Sequence, residues 1–220
     1  VMSFAPDGTD ERSIDIASGP TGIGAVTLGV YPRRIGALVA FVRESGEREQ
    51  WLYLFNGRGE FQSVRELDLE YRSWQRLIGL SDGWLYVVPG RAREPSRWQL
   101  WTVEGEPRTR LIPFEDGRAI SDAGYADQFL SLPEQREVLM VWSSPWGQPD
   151  SDLHVEYRTE SGEIARAWSG PLPVQPDPDQ AYFGDPHVLL TETGFLLLWH
   201  AGADDHQGNP VYAREFGCIP

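Results

Sequence analysis

Apolar residues in this chain fall in short alternating runs, broken by turn signals roughly every eight to twelve residues. That is the pattern of β-strands, and no stretch sustains helical periodicity. The runs recur as a set. Leu52-Tyr53-Leu54-Phe55 precedes Gly59-Glu60, Leu100-Trp101-Thr102-Val103 precedes Gly105-Glu106, His154-Val155-Glu156-Tyr157 precedes Gly162-Glu163, and Val211 to Phe216 precedes Gly217. The glycines are spaced by 46, 57 and 55 residues. Self-similarity at such a period marks a repeat architecture, in which each unit buries its apolar face only against its neighbours.

Each repeat divides into four predicted strands. The recurrent segments are the third. Second strands are predicted at Ala37 to Arg43, Trp84 to Val88, Val138 to Trp142 and Phe195 to Trp199. First strands are predicted at Ala25 to Tyr31, Trp74 to Leu80, Gln128 to Leu132 and His187 to Thr191. Fourth strands follow the Gly-Glu turns at Phe61 to Leu67, Thr109 to Phe114 and Ile164 to Trp168. Four antiparallel strands at this period predict an all-β fold, a β-propeller of about four blades, complete as a small ring or part of a larger one. A β-sandwich would also use short strands but has no reason to repeat the Gly-Glu turn. The predicted organisation is a single propeller domain over 1–220. It comprises a partial blade at 1–20, full blades at 21–68, 69–117 and 118–175, and a final blade at 176–220 that lacks its outer strand. Val1 to Thr9 reads as a third strand with its turn, and Glu11 to Ala17 as a fourth. Either this segment supplies the outer strand of the last blade, or further polypeptide completes the array. Trp51, Trp84, Trp101, Trp142 and Trp199 recur at strand positions and are expected to be mostly buried.

Composition narrows the partners. The net charge of −14 disfavours nucleic acid and anionic membrane surfaces, which require clustered positive charge. No apolar run reaches the length of a membrane span. All 19 basic residues are Arg, a composition that GC-rich codon usage explains without invoking function. The lone Cys218 has no internal disulfide partner and is a candidate for an intermolecular bridge. The chain starts at Val1 without a signal peptide, which is expected of a processed chain or of a piece of a longer protein.

The last two repeats resemble a repeat of secreted and surface proteins of bacteria. There a strand ending in Val-Val-Trp leads through an Asp/Gly-rich loop to a strand like Val-Tyr-Ala-Arg-Arg-Phe and an Asp-x-x-Gly turn. Leu139-Met140-Val141-Trp142 and Leu196-Leu197-Leu198-Trp199 match the first strand. Val211-Tyr212-Ala213-Arg214-Glu215-Phe216 matches the second, as does Val1 to Gly8 with its turn. The repeat from Trp84 to Gly105 departs from it. The resemblance implies a propeller-like fold and an extracytoplasmic location, periplasmic, cell-surface or secreted. It carries no shared catalytic residues.

In an antiparallel blade, connections alternate between the two faces of the disc, so the long loops share one face. That face is expected to hold the ligand-binding candidates Trp146, Asp150, Asp152, Asp185, His187 and His206. Asp185-Pro186-His187-Val188 stands just before an innermost strand and resembles a segment of five-bladed glycosidases, where such an Asp contributes a carboxylate. Glycoside hydrolysis uses two carboxylates, and Asp127 is the comparable second residue, but other innermost strands lack an Asp at this point. The ordinary reading of Asp185, which takes precedence, is a carboxylate satisfying backbone donors at a strand start. Asp204 and Asp205, near Gly208, form a candidate Ca²⁺ loop, against the ordinary reading of a solvated acidic turn. No other cofactor is implied. The sequence therefore supports a non-enzymatic extracytoplasmic propeller that binds or scaffolds a protein or glycan partner through its long-loop face, with no catalytic residue. The alternative is a glycan-acting hydrolase using Asp185 and Asp127. The expected protein partner is a companion subunit or the missing portion of a longer precursor.

Overall fold

The computed structural model describes residues 2–3, 12–13, 22–69, 75–88, 96–113, 128–144, 152–171, 183–201 and 211–217. All regular elements among them are strands. β1 (Met2–Ser3) and β2 (Arg12–Ser13) form a hairpin. Blade one is β3 (Gly22–Tyr31), β4 (Arg34–Val42), β5 (Arg48–Asn56) and β6 (Phe61–Leu67). Blade two is β7 (Arg76–Leu80), β8 (Gly83–Val88), β9 (Arg97–Thr102) and β10 (Ile112–Pro113). Blade three is β11 (Gln128–Leu132), β12 (Glu137–Ser144), β13 (Asp152–Thr159) and β14 (Ile164–Pro171). Blade four has three strands, β15 (Phe183–Leu190), β16 (Gly194–Ala201) and β17 (Val211–Gly217). Each sheet is an antiparallel meander in chain order, and the four stack as the blades of a propeller.

The strands lie close to where the apolar pattern predicts them. The differences are local. The fourth strand of blade two shrinks to Ile112–Pro113, because Leu100 N donates to Thr109 Oγ1 and Leu100 O accepts from Arg108 N instead of a continued ladder. The first strand of blade four starts at Phe183, through a bulge, earlier than His187. Arg12–Ser13 pairs with Met2–Ser3, so these two residues make no outer strand for blade four.

The repeated Gly-Glu signal has a conformational cause. Gly59, Gly105 and Gly162 have φ of 77°, 82° and 93°, the left-handed region that a Cβ disfavours. Each closes the same turn. Gly59 N donates to Asn56 O and Asn56 N to Glu60 O; Thr102 with Gly105 and Glu106, and Thr159 with Gly162 and Glu163, repeat both bonds. The side-chain oxygen of the first residue then receives the Glu amide, from Glu60 to Asn56, Glu106 to Thr102 and Glu163 to Thr159. The repeat is thus Asn/Thr-x-x-Gly-Glu, a type I turn with a glycine bulge between third and fourth strands. Gly46, at φ 83°, closes a turn with the same pair of backbone bonds between β4 and β5.

Stacking is continuous from blade to blade. Leu38, Leu52 and Leu54 of blade one pack with Leu77, Trp84, Tyr86 and Trp101 of blade two. The opposite side of blade two, through Ile78, Leu85 and Trp98, meets Val138 and Met140 of blade three. Leu139, Val141, Leu153 and Val155 then meet Val188, Phe195 and Leu197 of blade four. Innermost strands approach closely where glycine replaces a side chain. A Cβ on Gly29 would stand 2.8 Å from Leu77 O, and one on Gly79 only 2.5 Å from Val30 O. Trp84 and Trp101 are buried, as expected, and Trp98 joins them; Trp51 is half-buried. The side chains of Trp142 and Trp199 lie outside the described residues.

Two outcomes follow from this packing. Gly46→Ala meets no neighbour and should lose only the left-handed allowance, about 1 kcal/mol. Gly162→Ala adds a Cβ 2.4 Å from the Trp98 ring and should cost about 2–4 kcal/mol in urea unfolding. Equal losses would mean that Gly162 does not seat Trp98. Separately, burial pushes the Tyr53 phenol above its ordinary value of 10.0. A raised folded-state value favours the fold fully below pH 10.0 and is lost as pH rises through the folded value. Alkaline absorbance titration should show a late-ionising tyrosine that Tyr53→Phe removes. An unchanged titration curve would contradict it.

Candidate binding face

Antiparallel pairing sends the connections to opposite ends of the strands, and the 103–111 connection shares an end with the short turns. The turns at 32–33, 57–60, 81–82, 133–136, 160–163 and 191–193 all fall at one end of the strands. The connections 68–75, 89–96, 114–127, 145–151, 172–182 and 202–210 all leave from the other end. Among the described residues of that second face, the 43–47 connection is a tight turn.

The turn face is tied across blades. Arg34 of blade one donates to Leu80 O and Ser81 O of blade two. Glu160 of blade three accepts from Ser81 N at 2.6 Å and from the Ser81 hydroxyl, and Arg136 pairs with the same carboxylate. These bonds join three blades through residues that read as ordinary exposed turn residues in the sequence. Their signal was the recurrence of Glu or Arg beside each turn.

The loop face receives the candidate residues by its topology. Asp152 is the first residue of β13, exposed, and paired with Ser144 and Pro171. Asp185 lies at the loop end of β15, within the bulge between Gly184 and His187. Pro186 has no amide to give the ladder, so the register slips there, and a bulge re-aims the residues it holds. His187 resumes the pairing opposite Leu198 and is exposed on the sheet face that also carries Leu189. β3 has a second loop-end bulge, between Ile23 and Ala25. Trp146, Asp150, His206, Asp127, Asp204 and Asp205 lie outside the described residues, as does the Asp185 side chain. Among the described residues, no group of three or more His, Cys, Asp or Glu gathers as a metal site.

One buried polar group escaped the sequence reading. His154, Glu156 and Arg158 alternate along β13 and would ordinarily face water, yet all three are buried. They share a sheet face with Val138 and Met140, toward blade two. The Arg158 guanidinium binds Glu156 Oε2 through both Nε and Nη2, at 2.9 and 2.8 Å, and donates to Gly162 O. Pairing within the strand lets the buried carboxylate and guanidinium satisfy each other under the covering blade. Gln50 is buried at the loop end of β5, donating to Leu69 O, and its Oε1 has no partner among the described residues.

No protein-family model and no curated protein matches this sequence. Solved structures do resemble its fold. The GH43 protein BlXynB of Bacillus licheniformis is 13% identical, over 88% of this chain and 40% of that one, with a TM-score of 0.50. The subtype N10 neuraminidase-like protein of A/little yellow-shouldered bat is 11% identical over 89% of this chain and 59% of its own, with a TM-score of 0.48. The Bombyx mori GH32 β-fructofuranosidase BmSUC1 is 12% identical over 86% and 45%, with a TM-score of 0.42. The chain therefore spans about 40% of the length of the first of these proteins. At such identity the likeness is one of fold, and the fold is a β-propeller.

Proposed function

We propose that this chain is a non-enzymatic binding propeller, acting outside the cytoplasm, whose long-loop face receives a glycan or protein partner. The observation that carries this reading is the asymmetry of the disc. One face carries six short turns and the 103–111 connection, and is tied across blades through Arg34, Ser81, Arg136 and Glu160. The other carries the long connections, on strand ends held rigid by the stack. Rigid strands that present variable loops are the arrangement of a recognition scaffold. Asp185 lies in the bulge that His187 ends, and Asp152 opens the third strand of the adjacent blade. Neutral sugars suit such a face, since carboxylates accept hydroxyl hydrogen bonds without requiring positive charge on the ligand.

A hydrolytic reading has one observation in its favour. Asp185 lies in a bulge at the loop end of the innermost strand of its blade, and bulges concentrate beside active sites. It requires Asp127 as the second carboxylate.

Oligosaccharide titration distinguishes these readings. Intrinsic Trp fluorescence of the 220-residue chain should change on addition of a panel of neutral and acidic oligosaccharides, with no release of reducing ends. Asp185→Asn combined with His187→Ala should weaken that binding about tenfold, with the thermal midpoint unchanged. Reducing-end release abolished by Asp185→Asn and by Asp127→Asn would replace the binding reading with the hydrolytic one. Absence of any response across the panel would remove the glycan and leave a protein ligand for this face.

A further inference from the structure

The loop end of the interface between blades one and two holds a polar group that the fold does not satisfy. Gln50 alternates with the buried Leu52 along β5 and pairs with Ala40 and Leu67, so it faces blade two together with Leu38 and Leu52. It is 1% exposed. Its Nε2 donates to Leu69 O at 3.1 Å. That bond fixes the amide, because turning it over would set Oε1 against a carbonyl oxygen. Oε1 is therefore directed away from Leu69 O. It is the one buried side-chain polar atom among the described residues without a hydrogen-bond partner. An acceptor left in this state weakens the fold until a donor reaches it.

The surroundings are apolar and partly open. Leu67, Leu69 and Val88 pack against the same core as Leu38 and Leu52 but are only half-buried. Val88 is the loop-end residue of β8, and Arg97, opposite it, opens β9. Alternation turns Arg97 to the side of Trp101, toward blade one, while Trp98 turns toward blade three. Arg97 is exposed, and its guanidinium makes no ion pair or hydrogen bond among the described residues. This mouth thus offers one unmet acceptor, one unengaged set of N–H donors and apolar side chains.

A lone water fits these groups poorly. An internal water is held by about two to four polar groups, and Gln50 Oε1 is the one buried side-chain atom here that lacks a partner. A hydroxyl carried on a ring with apolar C–H groups fits better. Hydroxyls both donate and accept, so one can donate to Oε1 while a neighbouring one accepts from a guanidinium. The C–H groups of the ring would lie on Leu67, Leu69 and Val88.

We infer that the loop-end mouth of the interface between blades one and two is a sugar subsite, in which Gln50 Oε1 accepts from one hydroxyl and Arg97 donates to another. This rests on the glycan reading of the loop face. It adds a contact outside blades three and four, which carry Asp152 and Asp185.

The oligosaccharide panel on the unaltered chain tests the reading, and Gln50 tests the subsite. Gln50→Leu and Arg97→Ala should each weaken binding about tenfold. Gln50→Leu should move the thermal midpoint of the free chain by no more than about 2 °C, since removing an unpaired acceptor offsets the lost bond to Leu69. In the unaltered chain with isotope-labelled glutamine, the Gln50 carboxamide resonance should shift at saturation with the bound oligosaccharide. Failure of that resonance to move overturns the inference, whether or not the variant folds. A midpoint that falls by more than about 5 °C in Gln50→Leu, with affinity unchanged, would mean that an internal water already serves Oε1, and overturns it too. Binding by the parent that Gln50→Leu leaves unaltered removes the subsite and spares the glycan reading. No binding across the panel removes the reading and the subsite together.

Discussion

A sheet that is apolar on both sides cannot stand alone in water, and this one constraint shapes the whole molecule. In blade two Trp84 and Tyr86 point one way and Leu85 and Val87 the other, all buried. Each blade needs a neighbour on each side, and the neighbours must come close. Gly29 and Gly79 permit this at the innermost strands, where the two backbones would collide with any Cβ. The hydrophobic contribution of each buried side chain, about 1.5–3 kcal/mol, becomes available only once the sheets have met. Local strand formation and stacking are therefore not separable in this fold.

The same stacking divides the molecule chemically. Because strands alternate in direction, one rim receives most of the short turns and the other most of the long connections, with the 43–47 turn and the 103–111 connection as exceptions. The turn rim spends its polar groups on holding blades together: the Glu160 carboxylate is satisfied by Ser81 and Arg136, and Arg34 by main-chain carbonyls. The buried Glu156–Arg158 pair satisfies its charges within blade three, on the face turned toward blade two. The loop rim holds candidate recognition residues at strand ends and bulges, where side chains are aimed without disturbing the core. This division lets the loops vary in length while the stack stays fixed.

The sequence by itself determined the strands, their order and the architecture, because these rest on local rules. Alternation placed β6 at Phe61–Leu67 and β11 at Gln128–Leu132, residue for residue. The Gly-Glu period reported a left-handed turn whose geometry depends on five consecutive residues, all readable in order. Strand alternation also tells which ends share a face, and Asp152 and Asp185 lie toward the loop end of their strands, whereas His187 sits in mid-strand on the sheet face. Tertiary structure decided what local rules do not reach. It buried His154, Glu156 and Arg158, whose alternation with apolar residues reads as a solvated strand face until blade two covers it. It brought Ser81 to Glu160, 79 positions apart, and made Gly79 a contact with Val30. It also left Val26, Leu28 and Val30 in water, although their pattern is that of a buried strand. Periodicity specifies which side of a strand is apolar. Only the packed arrangement specifies whether anything lies against it, because burial is a property of two surfaces and the sequence of one strand describes just one of them.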